Sequence, residues 1–345
     1  MESRQTVVTL NDLEHCLERP DMYIGAVEAR NHIIPDVSTT PTTFKTVLES
    51  PALLSLANEL STNAADNVHR DVPQKNIDLT WDGTAFTVSN DGSALPVVKD
   101  AEGRWPVQVA FGTFRSGTNF DNKDTGKKDT KYTAGRNGYG SKGCNAFGEM
   151  MSVTVGNATD KKEITITWRD NMSSVDVGKP KAWTRKTNRT TVAWTPDYTR
   201  LRTSNVNMGL ITSWLAHNVA LCVPSSVKVT YNGTPVTIRT PKDVCNSLGG
   251  TGPVATDVVV HDGVEVMRVA VAARADDVPV ADTPGLSYAF VNSTWCREGS
   301  HARMIFAVLG GIVEEKANTK RGVSNIRCTP SFFRQQAIVV ATVLV

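Results

Sequence analysis

The sequence predicts an α+β protein of two domains, and three observations carry the prediction. A chain of 345 residues with 40% hydrophobic positions is long enough to build more than one core. Two helical patterns with start signals, over 11–19 and 51–69, are followed by alternating runs that read as strands. From about residue 225 the pattern becomes strands followed by helices, the order of an α+β domain. The boundary is expected between 200 and 225, dividing the chain into 1–220 and 221–345.

The elements follow in chain order. Residues 11–19, NDLEHCLER, carry Asn11 as N-cap with Glu14 three positions later, a capping box, and Pro20 ends the helix. Pro51 opens PALLSLANELSTNAADNVH, where Leu53, Leu56, Ala57, Leu60 and Ala64 recur at the helical period. The runs NIDLTW (76–81) and TAFTVS (84–89) flank Asp82-Gly83, a hairpin signal. Residues 151–156, 163–168 and 189–194 read as further strands. The polar, Gly- and Lys-rich stretch 113–143 has few apolar anchors and is expected to be a mobile loop. It leads into a helix over about 141–148. Beyond 225, Asn232-Gly233 and Asp262-Gly263 mark two more hairpins, and LSYAFVNS is a strand. Helices are expected over about 300–316 and 331–345. The second runs to Val345 without a cap, so the end reads as a cut boundary rather than a natural terminus.

Bulk properties exclude classes without selecting one. Lys+Arg total 37 against 35 Asp+Glu, a net charge of +2, which excludes a polybasic or acidic tail as the main feature. No apolar run reaches the roughly 18 residues of a membrane span, and the N-terminus has no apolar signal region. The 6 cysteines lie scattered, with no CxxC pair. That scatter argues against a zinc ribbon or a disulfide framework and fits free thiols in a reducing compartment. A soluble intracellular protein with no membrane partner is the expectation.

Three segments can carry chemistry. On the helix at 51–69, Glu59 and Asn63 are four apart and share a face, with Asp66 and Asn67 one turn on. Such a pair can set a carboxylate to deprotonate water beside an amide oxygen that ligates a hard cation. Polar residues on a helix equally face solvent. Val88-Ser89-Asn90-Asp91-Gly92, at a strand end, can aim a short polar side chain at a ligand edge, and it is equally good turn chemistry. The third segment runs from Gly135 to Gly143 and contains Gly138-x-Gly140-x-x-Gly143. The preceding KKDTKYTA is polar where a dinucleotide fingerprint needs a strand, and Gly140-Ser141-Lys142 departs from the Gly-Lys-Ser/Thr of a P-loop. What survives is a run of glycine amides opening onto a helix, an anion site with Lys142 and Arg136 as charges.

Taken in order, these segments resemble the ATP-binding fold shared by gyrase, Hsp90, histidine kinases and MutL. Longer motifs narrow the resemblance. Arg19-Pro20-Asp21-Met22-Tyr23-Ile24-Gly25 is similar to the RPxMYIG entry motif of type IIA DNA topoisomerases, and NELSTNAADN (58–67) to their DE-x3-NAADN helix. GRNGYGSK (135–142) resembles the GRNGYGAK loop of the eukaryotic-type enzymes. Phe290-Val291-Asn292-Ser293 followed by Gly299-Ser300-His301 is similar to the FVNS…GGTH element of their transducer domain. The resemblance covers nearly all of 10–345 and lies nearer the eukaryotic, viral and T4-like phage enzymes than bacterial gyrase.

The resemblance implies a Bergerat (GHKL) α/β sandwich that binds ATP, followed by a ribosomal-S5-like α+β transducer domain. ATP and Mg²⁺ are the implied cofactors. Glu59 would be the catalytic base and Asn63 the Mg²⁺ ligand. Asn90 would read adenine, with Thr190 supporting the base and Asn67 among the nucleotide contacts. Thr118 and Asn119 would touch ribose and phosphate. Gly135, Arg136, Asn137, Gly138, Tyr139, Gly140, Ser141 and Lys142 would wrap the triphosphate. The implied assembly is a homodimer closed by ATP around double-stranded DNA, working with a cleavage core outside this chain.

Some positions depart from the pattern. Ser93 and Ala94 follow the base-reading segment where Arg or Lys and then Gly are usual, Arg189 replaces the Gly before Thr190, and Val7 lies near the place of an N-terminal Tyr. The family's Gln-Thr-Lys loop would follow an element like 334–345, so nucleotide binding with slow turnover is expected unless the chain is extended. Two alternatives stand beside the leading one. A MutL- or Hsp90-like switch is opposed by RPxMYIG and GRNGYGSK; a non-hydrolysing ATP-binding scaffold is permitted by Ala94 and Arg189 and opposed by Glu59.

Overall fold

The computed structural model describes residues 9–116, 139–204, 206–274, 287–296, 300–319 and 337–344. These residues fall into two compact units: the first takes those up to 32, 47–116 and 139–212, and the second takes 33–46 and those from 213 onward.

The chain opens with α1 (Asp12–Glu18), where the Asn11 and Glu14 side chains each accept the other's amide at 2.9 Å, completing the expected capping box. β1 (Arg30–Asp36) and β2 (Thr43–Glu49) pair with each other. Neither announces itself in the sequence, since Pro35 interrupts the first and the second alternates poorly. α2 (Pro51–Asp66) is capped by Ser50, whose hydroxyl accepts the Leu53 amide at 3.0 Å. Its apolar stripe is buried throughout, from Leu53 to Ala64. β3 (Asn76–Trp81) and β4 (Phe86–Asn90) form the hairpin at Asp82-Gly83. β4 begins at Phe86 rather than Thr84 because the Asp82 carboxylate accepts the Thr84 and Ala85 amides, both at 2.8 Å, and lengthens the turn.

α3 (Pro106–Gly112) and α4 (Gly140–Ala146) follow. Residues 117–138, most of the expected mobile loop, lie outside the described residues. β5 (Gly148–Asn157), β6 (Lys162–Arg169), β7 (Ser174–Val177), β8 (Lys181–Ala182) and β9 (Arg189–Pro196) complete the first unit's strands. Within this unit the sheet runs β3-β4-β9-β5-β6-β7, antiparallel throughout, with β8 also pairing with β6. One face is apolar: Ile77, Leu79, Phe86, Val88, Val153 and Trp194 are buried on it, and α2 and α4 pack there. The opposite face carries hydroxyls in register, Ser89 beside Thr191, Thr191 beside Thr154, and Thr154 beside Thr165. This is the one-sided alternation of an antiparallel sheet.

α5 (Met208–Cys222) precedes a small hairpin, β10 (Lys228–Tyr231) and β11 (Thr234–Pro235), turned at Asn232-Gly233. α6 (Pro241–Ser247) has a second capping box, from Thr240 and Asp243. β12 (Gly250–His261) and β13 (Val264–Arg274) form the Asp262-Gly263 hairpin. β14 (Ser287–Val291), β15 (Thr294–Trp295), α7 (Ser300–Asn318) and β16 (Ala337–Val343) follow. The second unit's sheet runs β12-β13-β16-β14-β15, with β16 antiparallel to β13 and parallel to β14. α7 matches the helix expected over 300–316.

The helix expected over 331–345 is corrected: where described, this segment is the strand β16. Ile338, Val339, Val340, Thr342 and Val343 are β-branched, which favours a pleated strand. Ala337 to Ala341 are buried in mid-sheet, and a central strand reads as an unbroken apolar run that periodicity cannot tell from a buried helix.

Candidate functional site

The end of the first unit's apolar sheet face, beneath α2, gathers the polar side chains singled out in the sequence. α2 places Glu59 and Asn63 one turn apart, and their side chains are hydrogen-bonded. The Glu59 carboxyl lies directly over the Cα of Gly140: a Cβ there would overlap Glu59 Cγ, Cδ and Oε1. One turn further on, a Cβ at Gly143 would meet Ile24 Cγ2 at 2.7 Å and Leu56 Cδ2 at 3.1 Å. Two glycines three apart thus let α4 press against α2 and against the entry motif. Tyr23 of that motif packs edge-on to Tyr139, with ring centroids 5.5 Å apart, and accepts or donates a 2.8 Å hydrogen bond with His15.

The electrostatics set Glu59 apart. Burial pushes its carboxyl up from the ordinary value, while the Asn63 hydrogen bond and the charge of Lys142 pull the other way. Lys142, on α4, is 3% exposed. Its ammonium donates to the Ser116 carbonyl at 2.6 Å. Burial brings the Lys142 pKa down to about 8, against the opposing pull of Glu59. A buried carboxylate with its pKa raised, held by one amide and faced by one cation, is equipped to accept a proton.

The other end of the site is a clamp of amides. Asn90 Oδ1 accepts from Asn67 Nδ2 at 2.7 Å and from the Gly92 amide at 3.3 Å. Asn67 Nδ2 also donates to the Ser93 carbonyl at 2.9 Å, and Asn188 Nδ2 donates to the Gly92 carbonyl at 3.0 Å. A Cβ at Gly92 would meet Gln74 Oε1 at 2.7 Å and Asn67 Cγ at 3.1 Å, so a larger residue there would have to shift these side chains. Asp91 turns the other way, its carboxylate accepting the Lys75 and Asn76 amides at 2.8 Å. The turn reading of Asn90-Asp91-Gly92 is realised in Asp91, while the Asn90 side chain is held by Asn67 and the Gly92 amide. Thr190 pairs with Asn90 across β9 and β4. Arg189 leaves by the opposite face and pairs with Asp78 at 3.2 Å, so its replacement of Gly does not crowd Thr190.

Of the predicted residues, Glu59, Asn63, Asn67, Asn90, Thr190, Tyr139, Gly140, Ser141 and Lys142 are described; Thr118, Asn119, Gly135, Arg136, Asn137 and Gly138 lie outside the described residues. Sequence reading does not single out Gln74, Asn188 or Ser116. Each sits in a connection with no periodic pattern, and only the fold brings it to the site. Asn67 Oδ1 and Gln74 Oε1 are buried with no hydrogen-bond partner among the described residues. Among the described residues no cluster of His, Cys, Asp and Glu could hold a metal by itself, and no helix is long and apolar enough to cross a membrane.

No protein-family model matches the chain. DNA topoisomerase 2 of Candida glabrata is 31% identical over 242 residues, 68% of this chain and 17% of that protein. The ATPase region of Saccharomyces cerevisiae topoisomerase II matches with a TM-score of 0.80 at 24% identity, covering 98% of this chain and 86% of that one. The chain belongs to the type II DNA topoisomerase family and has the fold of its ATPase region. Human DNA topoisomerase 2-alpha is 29% identical over 236 residues, 66% of this chain and 15% of that protein. The topoisomerase II ATPase and transducer domains from Balamuthia mandrillaris match with a TM-score of 0.81 at 24% identity, over 98% of this chain and 85% of that one. The 43K ATPase domain of Thermus thermophilus gyrase B is more distant, with a TM-score of 0.59 at 17% identity over 96% of this chain and 81% of that one. The α+β class and the GHKL fold expected from the sequence are therefore borne out for this topoisomerase-related chain. It spans less than a fifth of the length of the curated topoisomerases it matches.

Proposed function

We propose that this chain binds ATP with Mg²⁺ and hydrolyses it, as the ATP-operated gate of a type II DNA topoisomerase. One observation carries the reading: the buried Glu59 carboxyl, its proton affinity raised, is bonded to Asn63 and pressed over Gly140 at the start of α4. Glu59 takes a proton from the attacking water, and burial makes it a stronger base than an exposed carboxylate. The neutral Asn63 amide oxygen is suited to hold a cation whose charge phosphate oxygens already balance. Mg²⁺, when bound, neutralises charge developing on the transferred phosphoryl group. Lys142 supplies a fixed cation beside Glu59.

At the other end, Asn90 is assigned to the adenine edge, with Thr190, its register partner on β9, supporting the base and Asn67 holding the Asn90 side chain. Thr118, Asn119 and the residues from Gly135 to Lys142 are assigned to ribose and triphosphate by the resemblance. Homodimerisation through this region, enclosure of double-stranded DNA and a separate cleavage core belong to the same proposal.

Glu59→Gln tests it. Binding of a fluorescent ATP analogue should persist, while phosphate release falls by roughly 100-fold or more. Unchanged hydrolysis would show that Glu59 is not the base.

A further inference from the structure

We propose that a basic strip at the β8 edge of the first unit, formed by Lys179, Lys181, Arg185 and Lys186 around Trp183, contacts the phosphate backbone of double-stranded DNA. The choice of DNA rests on the topoisomerase reading above; the anion chemistry of the strip stands without it. Between Val177 and Pro196 the sequence has no Asp or Glu, yet it contains these four cations and Arg189. Against a whole-chain charge of +2, this segment is strongly positive and the remainder is net acidic.

The four cations are exposed, and none of them is in an ion pair among the described residues. Charge that merely guards an edge strand against pairing can be of either sign and needs no fixed geometry. Here the Trp183 ring and the Arg185 guanidinium hold fixed positions. The Trp183 ring lies flat on Gly156, where a Cβ would come within 2.6 Å of the indole, and its Nε1 donates to the Thr187 carbonyl at 2.9 Å. The Arg185 guanidinium sits 5.2 Å from the ring centroid. That contact holds the guanidinium at the mouth of a recess of about 470 Å³, lined also by Thr154, Thr191 and Arg189. Glu163 lines the recess too and is the register partner of Lys181 across β6 and β8, so the surface there is mixed in sign and its net positive charge comes from the four cations of the strip.

A row of exposed cations beside a single aromatic ring suits phosphate contacts. Single strands are gripped by several stacking platforms, and base reading needs side chains that reach groove edges. The expected contact therefore carries no sequence preference and depends steeply on salt.

The test compares the wild-type chain with a variant carrying Lys179→Gln, Lys181→Gln, Arg185→Gln and Lys186→Gln. A control variant carries Lys75→Gln, Lys99→Gln, Lys228→Gln and Lys242→Gln, which are equally exposed cations elsewhere. Fluorescence anisotropy with a mixed-sequence duplex of about 24 base pairs, titrated across salt, reads affinity and slope. The strip variant should bind roughly tenfold or more weakly, and the slope of log Kd against log salt should fall by about 3. The control should stay within about twofold of wild type. ATP-analogue binding, measured without DNA, should be unchanged in both, which separates failure of this proposal from failure of the nucleotide reading. Equal losses in both variants, no loss in either, or strip-dependent binding to phosphatidylserine vesicles without binding to the duplex would each overturn it.

Discussion

A methyl group at Gly140 would occupy the space that the Glu59 carboxyl holds. Gly140→Ala should therefore displace the carboxyl or push α4 off α2, at about 1–3 kcal/mol of stability. Urea melts should record that loss, and phosphate release should fall with it. A variant with wild-type stability and turnover would show that Glu59 moves aside freely. Residue identity at this site was legible where a motif is contiguous. Glu59 and Asn63 stand one turn apart, and Asn90 marks a strand end. A second demand on the glycines was not legible: besides the phosphate cradle that the sequence suggests, Gly140 is in close contact with Glu59, and Gly143 with Ile24 and Leu56. Gln74 and Asn188 were invisible because a loop residue that buttresses from a distance leaves no local pattern.

At the scale of elements, capping and hairpin chemistry reads directly from sequence, while burial on all sides erases the signal. α1 and the three Asx-Gly hairpins stand where their residues place them. α5, buried around most of its circumference, has no amphipathic stripe to find, and β16 is apolar without alternation for the same reason. α7 offers a contrasting glycine. Nothing lies within 4 Å of a Cβ built at Gly311, so Gly311→Ala should stabilise the second unit by about 0.5–1 kcal/mol through helix propensity alone. A lowered melting temperature would mean that the methyl meets something.

The end of β2 supplies a pH-dependent element. Glu49 is 1% exposed, and Thr203 Oγ1 donates to it at 3.4 Å. Burial raises its pKa from 4.5 to about 7. The folded chain therefore holds a proton that the unfolded chain releases between these values. This contribution to stability is complete below the lower value and is lost as pH rises through about 7. Glu49→Gln should gain in melting temperature relative to wild type as pH is raised across that window. A difference that stays constant with pH would rule out the assigned titration.

On the scale of the whole molecule, the family is readable because its motifs are long and ordered, while the site itself is a product of folding. Glu59, Asn90, Lys142 and Thr190 come from α2, β4, α4 and β9 and meet only when the first unit's sheet and helices are assembled. An unfolded chain therefore has no nucleotide site, and ligand binding should add its full linkage energy to stability. At a ligand concentration of 100 times Kd that is about 2.7 kcal/mol. For a unit of this size the corresponding rise in melting temperature is roughly 5–10 °C. A non-hydrolysable ATP analogue with Mg²⁺ should produce that rise in wild type and in Glu59→Gln alike, because Glu59 is assigned to proton transfer rather than to binding. Chelating the Mg²⁺ should remove most of it, since the cation offsets the charge of the triphosphate beside a buried carboxyl. Lys142→Ala should diminish it by withdrawing the fixed cation. A rise that survives chelation unchanged would remove Mg²⁺ from the site, and one lost in Glu59→Gln would move Glu59 from chemistry to binding.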